Sequence, residues 1–326
     1  MTYPSLRERP CPLCGATNAA AEVSSRRRAE HRSLDELRPF WFGIDKERRF
    51  FTYHRCACCD LLYNREFFDD AQLGALYAAM PPNMDQVSDA AIVATQRGYF
   101  DAIAARTALD GDYLEIGPDV GHIVRAAARE GSFDRFWLFE PNRGVHEQLR
   151  ATSRGYPTSI STDMADLSPV PDGSVGVAVM VHVLDHLLDP VAMLRSIRRT
   201  LRPGGMLAIV THDEGSALRR LLGARWPAFC LQHPELYNPV TIRRLLEQAG
   251  YADTVVTRSA NHFPVDFLAR QGAQAIGMRA LGRLPLPRRA VRLRLGNMLT
   301  FAVAPSEGAT VQAATADDRA RVEALA

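Results

Sequence analysis

The chain is almost without lysine. Lys46 is the single lysine among its 39 basic residues, so chemistry that depends on a lysine Schiff base is excluded unless Lys46 provides it. No run of 18 apolar residues occurs, which excludes a membrane-spanning helix. The first 15 residues also lack the apolar segment of a secretory signal. These absences predict a cytoplasmic protein that does not enter a membrane.

Strong charge of one sign is absent too. The formal net charge is +2 over 326 residues, so no strong field favours nucleic acid as a partner. What is present is an ordinary globular balance, with 47% hydrophobic and 23% charged residues. A chain of this length corresponds to about two domains of roughly 150 residues each. It is long enough to bury a real hydrophobic core.

Six cysteines include two closely spaced pairs. Cys11 and Cys14 form a C-x2-C motif, and Cys56 and Cys59 form a second one after a spacer of 41 residues. In a reducing compartment such pairs are typical of metal ligands rather than disulfides, and four thiolates suit a tetrahedral, structural zinc ion. Residues 40–55 are predicted to form two short strands around a turn, which would bring the second pair to the first. The alternative is that the cysteines pack in the core without a metal.

The centre of the chain alternates between strand-like and helix-like segments. Residues 175–181 form a continuous apolar run, as a strand buried on both faces should. Residues 190–201 begin with proline and carry apolar residues at helical spacing. The other strands are predicted at 113–116, 135–140, 206–210, 253–257 and 299–304, and the other helices at 122–130, 143–154 and 240–249. This alternation predicts a mainly parallel sheet with helices on both faces.

The loops after the first two central strands are the candidate ligand site, because ligands bind at the carboxyl ends of parallel strands. Gly117 and Gly121 flank a tight turn that leads into a helix, whose free N–H groups can bind an anionic group. Glu140 closes the second strand, 25 residues after Glu115, and a carboxylate there can accept hydrogen bonds from a ribose diol. Taken alone, the Gly-x-x-x-Gly pattern fits an ordinary strand–helix turn equally well.

Residues 110–212 resemble class I S-adenosylmethionine-dependent methyltransferases. The similarity lies in LEIGPDVG, in LFEPN, and in VMVHVLDHLLDP followed by LRSIRRTLRPGGMLAIVT. With the cysteine motifs, the chain resembles enzymes of bacterial sugar, polysaccharide and natural-product pathways, including zinc-containing sugar C-methyltransferases. The resemblance implies an α/β fold, with a Rossmann-like, doubly wound, mainly parallel seven-stranded sheet and a small N-terminal zinc-ribbon-like module. It also implies S-adenosylmethionine as the cofactor and a structural zinc ion.

The resemblance further implies cofactor contacts near the carboxyl ends of the strands. They are Glu115, Gly117, Asp119 and Gly121 at the methionine part, Glu140 at the ribose, Asp163 and Met164 at the adenine, and His182 beside the sulfonium and the acceptor. Two positions depart from the family's pattern. Asp119 stands where the first motif usually has its middle glycine, and Gly176 stands where the fourth strand usually has an aspartate. These departures keep open a protein that binds the cofactor without methylating an acceptor.

Histidines are the candidate general bases, because an imidazole suits the removal of a proton from a hydroxyl or an enolisable carbon near neutral pH. His186 follows the fourth central strand, and His233 lies in a segment similar to one that carries a Glu-His pair in sugar C-methyltransferases. Gln232 stands here in place of that glutamate. The alternatives are a capping or loop-ordering role for His186 and a lid role for His233.

The predicted organisation has four parts. They are a zinc-binding module at 1–70, a helical linker or lid at 71–108, the methyltransferase domain at 109–304 with substrate-side insertions at 213–239 and 259–296, and a tail at 305–326. The expected acceptor is a small molecule, methylated at a hydroxyl or carbon of a sugar or secondary metabolite, and a homodimer is compatible with the sequence. The alternatives are a non-methylating S-adenosylmethionine-binding protein and an RNA methyltransferase that uses the zinc module as an adaptor.

Overall fold

The computed structural model describes residues 4–41, 49–78, 89–275 and 289–305. Almost all of the predicted tail, Lys46 and part of the predicted linker therefore lie outside the described residues. Within the described ranges, no helix is both long enough and apolar enough to cross a membrane.

The N-terminal part is built on a small antiparallel sheet. Its elements are β1 Arg7–Glu8, β2 Ala19–Val23, α1 Leu34–Trp41, β3 Tyr53–Cys56, β4 Leu62–Asn64, β5 Glu66–Phe67, α2 Asp70–Ala78 and α3 Asp89–Ala104. β3 lies between β2 and β4 and is antiparallel to both. The strand pair predicted within 40–55 is wrong at its start, because Phe40 and Trp41 end α1 and pack in an apolar cluster with Phe68. Residues 42–48 of that prediction lie outside the described residues.

The central sheet has seven strands. These and the short strands in the connections are β6 Asp110–Ile116, β7 Ser132–Phe139, β8 Thr158–Ser161, β9 Val175–Val181, β10 Leu201–His212, β11 Glu235–Leu236, β12 Ala252–Arg258, β13 Asn261–Pro264, β14 Ala290–Leu293 and β15 Asn297–Val303. The order across the sheet is β12-β15-β10-β9-β6-β7-β8. Among these strands β15 runs antiparallel to both neighbours, and the pairs from β10 to β8 are parallel. The predicted seven-stranded, mainly parallel sheet is confirmed.

Helices connect the strands, and a side chain caps the start of three of them. The connecting helices are α4 His122–Glu130, α5 His146–Thr152, α6 Pro190–Thr200, α7 Ala217–Leu222, α8 Pro239–Gln248 and α9 Val265–Ala275. The Asp189 side chain accepts a hydrogen bond from Ala192 N before α6, and the Asn238 side chain caps α8. The helix predicted at 143–154 is shorter, because residues 143–145 form a 3-10 turn and α5 ends at Thr152.

β9 is buried on both faces and separates two apolar layers. Val177 and Val179 pack in one layer, and Ala178 and Met180 pack in the other. Burying a large apolar side chain contributes about 1.5–3 kcal/mol. The strand that leads to His182 is therefore held firmly in the middle of the sheet.

A strand from far along the chain extends the N-terminal sheet. β11 pairs antiparallel with β4, and Glu235 stands opposite Tyr63. Arg9 Nη2 forms an ion pair with buried Glu235 Oε2 at 2.9 Å. The predicted insertion at 213–239 and the predicted module at 1–70 therefore share one sheet.

Candidate active site and cysteine cluster

The turn after β6 and the end of β7 meet. The Asp119 N–H donates a hydrogen bond to Glu140 Oε2 (2.9 Å), and the Asn142 N–H donates to Glu140 Oε1 (2.8 Å). Glu140 is 7% exposed. Burial raises the pKa of Glu140, although the two backbone donors oppose this rise. The two segments that were predicted to form one cofactor site are thus joined directly.

The turn after β6 requires glycine at two positions. Gly117 and Gly121 have φ values of +69° and +77°, a region that favours glycine. A Cβ at 117 would lie 2.7 Å from Val183 Cγ2, and one at 121 would lie 2.8 Å from Leu149 Cδ2. Asp119 has φ +50°, which aspartate tolerates better than most residues. The middle residue of the turn therefore has a left-handed backbone conformation although it is not glycine.

Glu115 is buried within β6, below this turn. The Tyr113 hydroxyl donates a hydrogen bond to Glu115 Oε2 (2.6 Å). Burial raises the pKa of Glu115 to about 8, while the Tyr113 hydrogen bond opposes the rise and the charge of Glu140 adds to it. In the protein alone the side chain is a neutral carboxylic acid at neutral pH. A cation placed beside it would favour the carboxylate.

Asp163 and Met164 follow β8 at the same edge of the sheet. The Glu140 N–H donates a hydrogen bond to Ser161 O (2.8 Å), so the ends of β7 and β8 lie side by side. Asp163 is exposed, and its Oδ1 accepts a hydrogen bond from Ala165 N (2.9 Å). Met164 is half-buried and packs against the apolar core. Both residues therefore flank the strand end that Glu140 closes.

Four histidines surround one aspartate at the ends of β9 and β10, and we name this group the histidine cluster. Its members are His182, Asp185, His186, His212 and His233. Asp185 and His186 lie in a 3-10 turn, and His233 precedes β11. The His212 ring centroid lies 4.8 Å from the centroids of His182 and His233. The His186 and His233 centroids are 4.9 Å apart. Side chains from three separate chain segments thus converge.

Asp185 is the anion of the histidine cluster. It is 0% exposed. Its Oδ2 accepts a hydrogen bond from His212 Nδ1 (2.6 Å) and lies 4.0 Å from His233 Nε2. Its Oδ1 has no hydrogen-bond partner in the described part of the chain. Burial by itself would raise the pKa of Asp185, but the neighbouring imidazoles hold it well below its usual range.

His233, one of the two predicted bases, lies deep in the cluster. Its Nδ1 is 2.7 Å from Ala228 O and 3.3 Å from Cys230 Sγ. Burial lowers the pKa of His233, but the charges of Cys230 and Asp185 outweigh burial and raise it to about 9. Asp185 therefore provides an acidic group near His233, whereas Gln232, the residue before His233 in the sequence, carries no acid.

His186, the other predicted base, and His182 have the opposite electrostatic character. Burial and nearby positively charged imidazoles lower the pKa of each to about 3. The Tyr77 hydroxyl lies 3.0 Å from His186 Nδ1. His182 has φ +52°, its N–H donates a hydrogen bond to Val210 O (2.8 Å), and the Asn297 amide nitrogen lies 3.3 Å from its Nε2. Both rings are therefore neutral in the protein alone.

The histidine cluster adjoins the turn after β6 through Val183. Val183 follows His182, and its Cγ2 would lie 2.7 Å from a Cβ at Gly117. Sequence reasoning did not single out Asp185 or His212 as site residues. Their positions could have indicated them as site residues. His212 ends β10, and Asp185 follows the end of β9, which is the parallel neighbour of β10. Carboxyl ends of adjacent parallel strands are where ligand-binding residues gather.

The four predicted zinc ligands form a cluster of their own. The Sγ atoms of Cys11, Cys14, Cys56 and Cys59 lie within 4.8 Å of one another, with 3.4 Å between Cys11 and Cys59. A tetrahedral zinc ion with zinc–sulfur distances of about 2.3 Å separates its sulfurs by roughly 3.8 Å, so the arrangement fits. The hydrogen bond with Cys59 lowers the pKa of Cys11 to about 5, whereas burial raises that of Cys14 to about 11. The four sulfurs are therefore spaced to surround one metal ion.

The sheet next to these cysteines holds the backbone of the His233 segment. The Tyr53 hydroxyl lies 3.1 Å from Cys230 O and 2.9 Å from His233 O. Asn64 Nδ2 donates a hydrogen bond to His233 O (3.0 Å). Tyr53 and Asn64 are both 0% exposed. Buried side chains of the N-terminal sheet thus fix the position of one edge of the histidine cluster.

A family model described as a methyltransferase domain matches residues 94–256. An uncharacterized 37.1 kDa protein in transposon TN4556 of Streptomyces fradiae is 28% identical over 185 residues, which cover 54% of this chain and 49% of that protein. The chain thus spans about half the length of the curated relative that it matches.

Solved structures of similar fold include two S-adenosylmethionine-dependent methyltransferases. The one from Thermotoga maritima is 17% identical and covers 64% of this chain and 89% of its own, with a TM-score of 0.44. The one from Archaeoglobus fulgidus is 13% identical and covers 66% of this chain and 94% of its own, with a TM-score of 0.46. Neither similarity bears on the reaction of this chain.

Replacement of Glu115 by glutamine should change how stability depends on pH. The folded protein keeps the Glu115 proton up to about pH 8, whereas an unfolded chain releases a glutamate proton near pH ~4.3. Wild-type stability therefore falls relative to Glu115→Gln as the pH rises through this window, by up to a few kcal/mol. Thermal unfolding of the free protein at about pH 5 and about pH 8.5 measures the effect. We expect the Tm advantage of the variant to grow with pH.

Glu147→Gln is the matched control, because it makes the same replacement of glutamate by glutamine at an exposed position on α5. A Tm difference between Glu115→Gln and wild type that is the same at both pH values would show that the Glu115 carboxyl ionises normally in the fold.

Proposed function

The chain belongs to the methyltransferase-domain family, and from this premise we propose that it transfers a methyl group from S-adenosylmethionine to a small-molecule acceptor. The observation that carries the proposal is the hydrogen bond from the Asp119 N–H to Glu140 (2.9 Å). It joins the two segments that would hold the cofactor. The adjoining histidine cluster would form the acceptor side.

Glu140 would bind the ribose of the cofactor. Each of its oxygens accepts one backbone hydrogen bond, and a carboxylate oxygen has a second lone pair, so both oxygens can also accept from ribose hydroxyls. Gly117 and Gly121 would let the backbone approach the methionine part without side chains. Asp163 and Met164 would flank the adenine, where Asp163 can accept from the exocyclic amine.

Glu115 would bind the amino group of the methionine part, directly or through water. Its buried carboxyl is neutral in the protein alone, and an ammonium group beside it would favour the carboxylate. Cofactor binding would therefore release a proton from Glu115. Asp119 would flank the same part of the cofactor, and His182 would lie beside the sulfonium.

The acceptor would be a hydroxyl or an enolisable carbon of a sugar or secondary metabolite. Its electron pair forms a bond to the methyl carbon while the carbon–sulfur bond breaks, and the electrons of that bond remain on sulfur in S-adenosylhomocysteine. Alignment of the three atoms supplies much of the acceleration, and the acceptor's proton must be taken up. We assign that proton to the pair His186 and His233, whose rings are 4.9 Å apart. Because the pKa of His233 is raised to about 9, His233 itself accepts the proton only above about pH 9.

The four cysteines would hold a structural zinc ion. Four thiolate ligands leave no open position for a water or a substrate. The ion would therefore act on the fold, by fixing the sheet whose Tyr53 and Asn64 hold the backbone of His233. In this way the N-terminal module would support the acceptor side.

Replacement of Glu140 by glutamine should weaken cofactor binding. Hydrogen bonds to a charged group contribute about 1.5–3 kcal/mol, so we expect the affinity for S-adenosylhomocysteine to fall roughly 10- to 100-fold. Titration calorimetry measures this affinity, and Glu147→Gln on α5 should bind like wild type. Undiminished binding by Glu140→Gln would remove the ribose assignment, and no binding by wild type would remove the whole proposal.

Replacement of His233 by asparagine should slow turnover and leave cofactor affinity intact. A general base contributes about 100- to 10,000-fold, so kcat should fall at least about 100-fold when it is measured above about pH 9, where the His233 ring is neutral. Mass spectrometry of nucleotide sugars and phenols incubated with labelled S-adenosylmethionine would detect the gain of one methyl group. Exposed His31→Asn is the control. Equal turnover would make His233 a bystander, and intact binding without any methylated product would favour a non-methylating protein.

Replacement of Cys56 by serine should remove the zinc and lower the Tm, because a structural zinc contributes folding free energy. Elemental analysis and thermal unfolding measure the two effects. Cys58→Ser should match wild type in both, since Cys58 is exposed and lies outside the cluster. A well-folded wild-type protein whose cysteines hold no metal is the result that rejects the zinc assignment.

A further inference from the structure

Part of the histidine cluster has the donor set of a second metal site. Nitrogen atoms of His182 and His212 and a carboxylate oxygen of Asp185 lie within 4.8 Å of one another. We propose that these three side chains bind one divalent transition-metal ion. The binding is independent of the proposed methyl transfer, whereas the role of the ion in catalysis rests on that proposed function.

Two buried atoms without partners support this site. Asp185 is 0% exposed, and its Oδ1 has no hydrogen-bond partner within the described ranges. The same is true of the buried His182 Nδ1 among the described residues. An unsatisfied buried polar group costs about 1–3 kcal/mol, and more when it is charged. Proteins pair buried charges or use them to coordinate metals, and a cation bound through these two atoms would satisfy both of them.

Two imidazoles and one carboxylate form a well-known set of ligands for divalent transition metals. Such sets bind zinc in hydrolases and iron(II) in oxygenases, with ligand distances of about 2.0–2.2 Å. Three protein ligands leave coordination positions open, unlike the four cysteines. An oxygen atom of an acceptor can occupy one of them.

The backbone positions these ligands. His182 and His212 stand at the ends of the parallel neighbours β9 and β10, and the His182 N–H donates a hydrogen bond to Val210 O (2.8 Å). The φ of His182, +52°, is a strained value of the kind found at functional sites. The Asn297 amide lies 3.3 Å from His182 Nε2. A flip of the Asn297 amide would bring its oxygen to that nitrogen, where it would accept the Nε2–H and leave Nδ1 to bind the metal.

His186 and His233 form another set of three with Asp185. Asp185 belongs to both sets. We assign the ion to His182, Asp185 and His212 because His182 Nδ1, the other buried atom without a partner among the described residues, belongs to that set alone. The assignment leaves His186 and His233 beside the ion.

An ion at this place would activate the acceptor oxygen. Val183 Cγ2 would lie 2.7 Å from a Cβ at Gly117, so the ion would lie on the side of the turn where the proposed function puts the acceptor. His182, Asp185 and His212 would hold the ion, which would supply Lewis-acid chemistry by lowering the pKa of a coordinated hydroxyl. Bond formation to the methyl carbon, cleavage of the carbon–sulfur bond and loss of the acceptor's proton would otherwise follow the methyl transfer proposed above.

Exchange of the bound metal for cobalt(II) in the full chain tests the site, because the absorption of cobalt reports its ligands. Thiolate ligands give intense charge-transfer bands, whereas nitrogen and oxygen ligands give weak visible bands. We expect wild type to bind about two equivalents of cobalt, one of them without thiolate bands. Asp185→Asn should lose that equivalent and keep the thiolate-bound one. Cys58→Ser, the matched control, should keep both.

His182→Gln provides the same test should Asp185→Asn fail to fold. Either of two results overturns the proposal. In the first, wild type binds only one equivalent of cobalt, held by thiolates. In the second, both variants keep the second equivalent. Calorimetry with S-adenosylhomocysteine separates the two proposals. Cofactor binding with only thiolate-bound cobalt rejects the second metal site and keeps the methyltransferase function. A second cobalt without cofactor binding rejects that function and keeps the metal site.

Discussion

A buried carboxylate determines the arrangement of the acceptor side. Removing Asp185 from water costs several kcal/mol unless other groups compensate its charge. The hydrogen bond from His212 at 2.6 Å and the nearby charged ring of His233 provide that compensation. Because His212 ends a central strand and His233 belongs to the segment before β11, one anion brings distant parts of the chain to one point. Loss of the carboxylate would remove one of the two charges, beside that of Cys230, that raise the pKa of His233, so these side chains act as one electrostatic unit.

The N-terminal sheet is part of the same construction. It accepts β11 as an additional strand beside β4, and a buried ion pair between Arg9 and Glu235 fastens the junction. Tyr53 and Asn64 then hold the His233 carbonyl oxygen from the same sheet. A disturbance at the four cysteines would therefore reach the histidine cluster through two buried side chains and one strand pair. This short path gives a physical reason for a cysteine-rich module and a methyltransferase domain to occur in one chain.

The features that local patterns determine could be predicted from the sequence. The limits of α4 and β9 match the structure because one has a helical composition and the other is apolar throughout, and the two cysteine pairs were visible from their spacing. The pairing of Asp185 with His212 could not be predicted, since it depends on the register between β9 and β10. The start of the segment 40–55 was mistaken because adjacent aromatic residues fit a strand and a helix equally well. The cofactor contacts and the roles of His186 and His233 stay predictions.

Both departures from the family's motifs concern backbone geometry more than side-chain chemistry. Asp119 keeps the left-handed φ of the glycine it replaces, and the group that reaches Glu140 is its N–H, which every residue except proline possesses. Gly176 stands where an added Cβ would lie 2.1 Å from the Asp110 carbonyl oxygen, so a side chain there would push β9 away from β6. The close approach of these two strands requires the glycine.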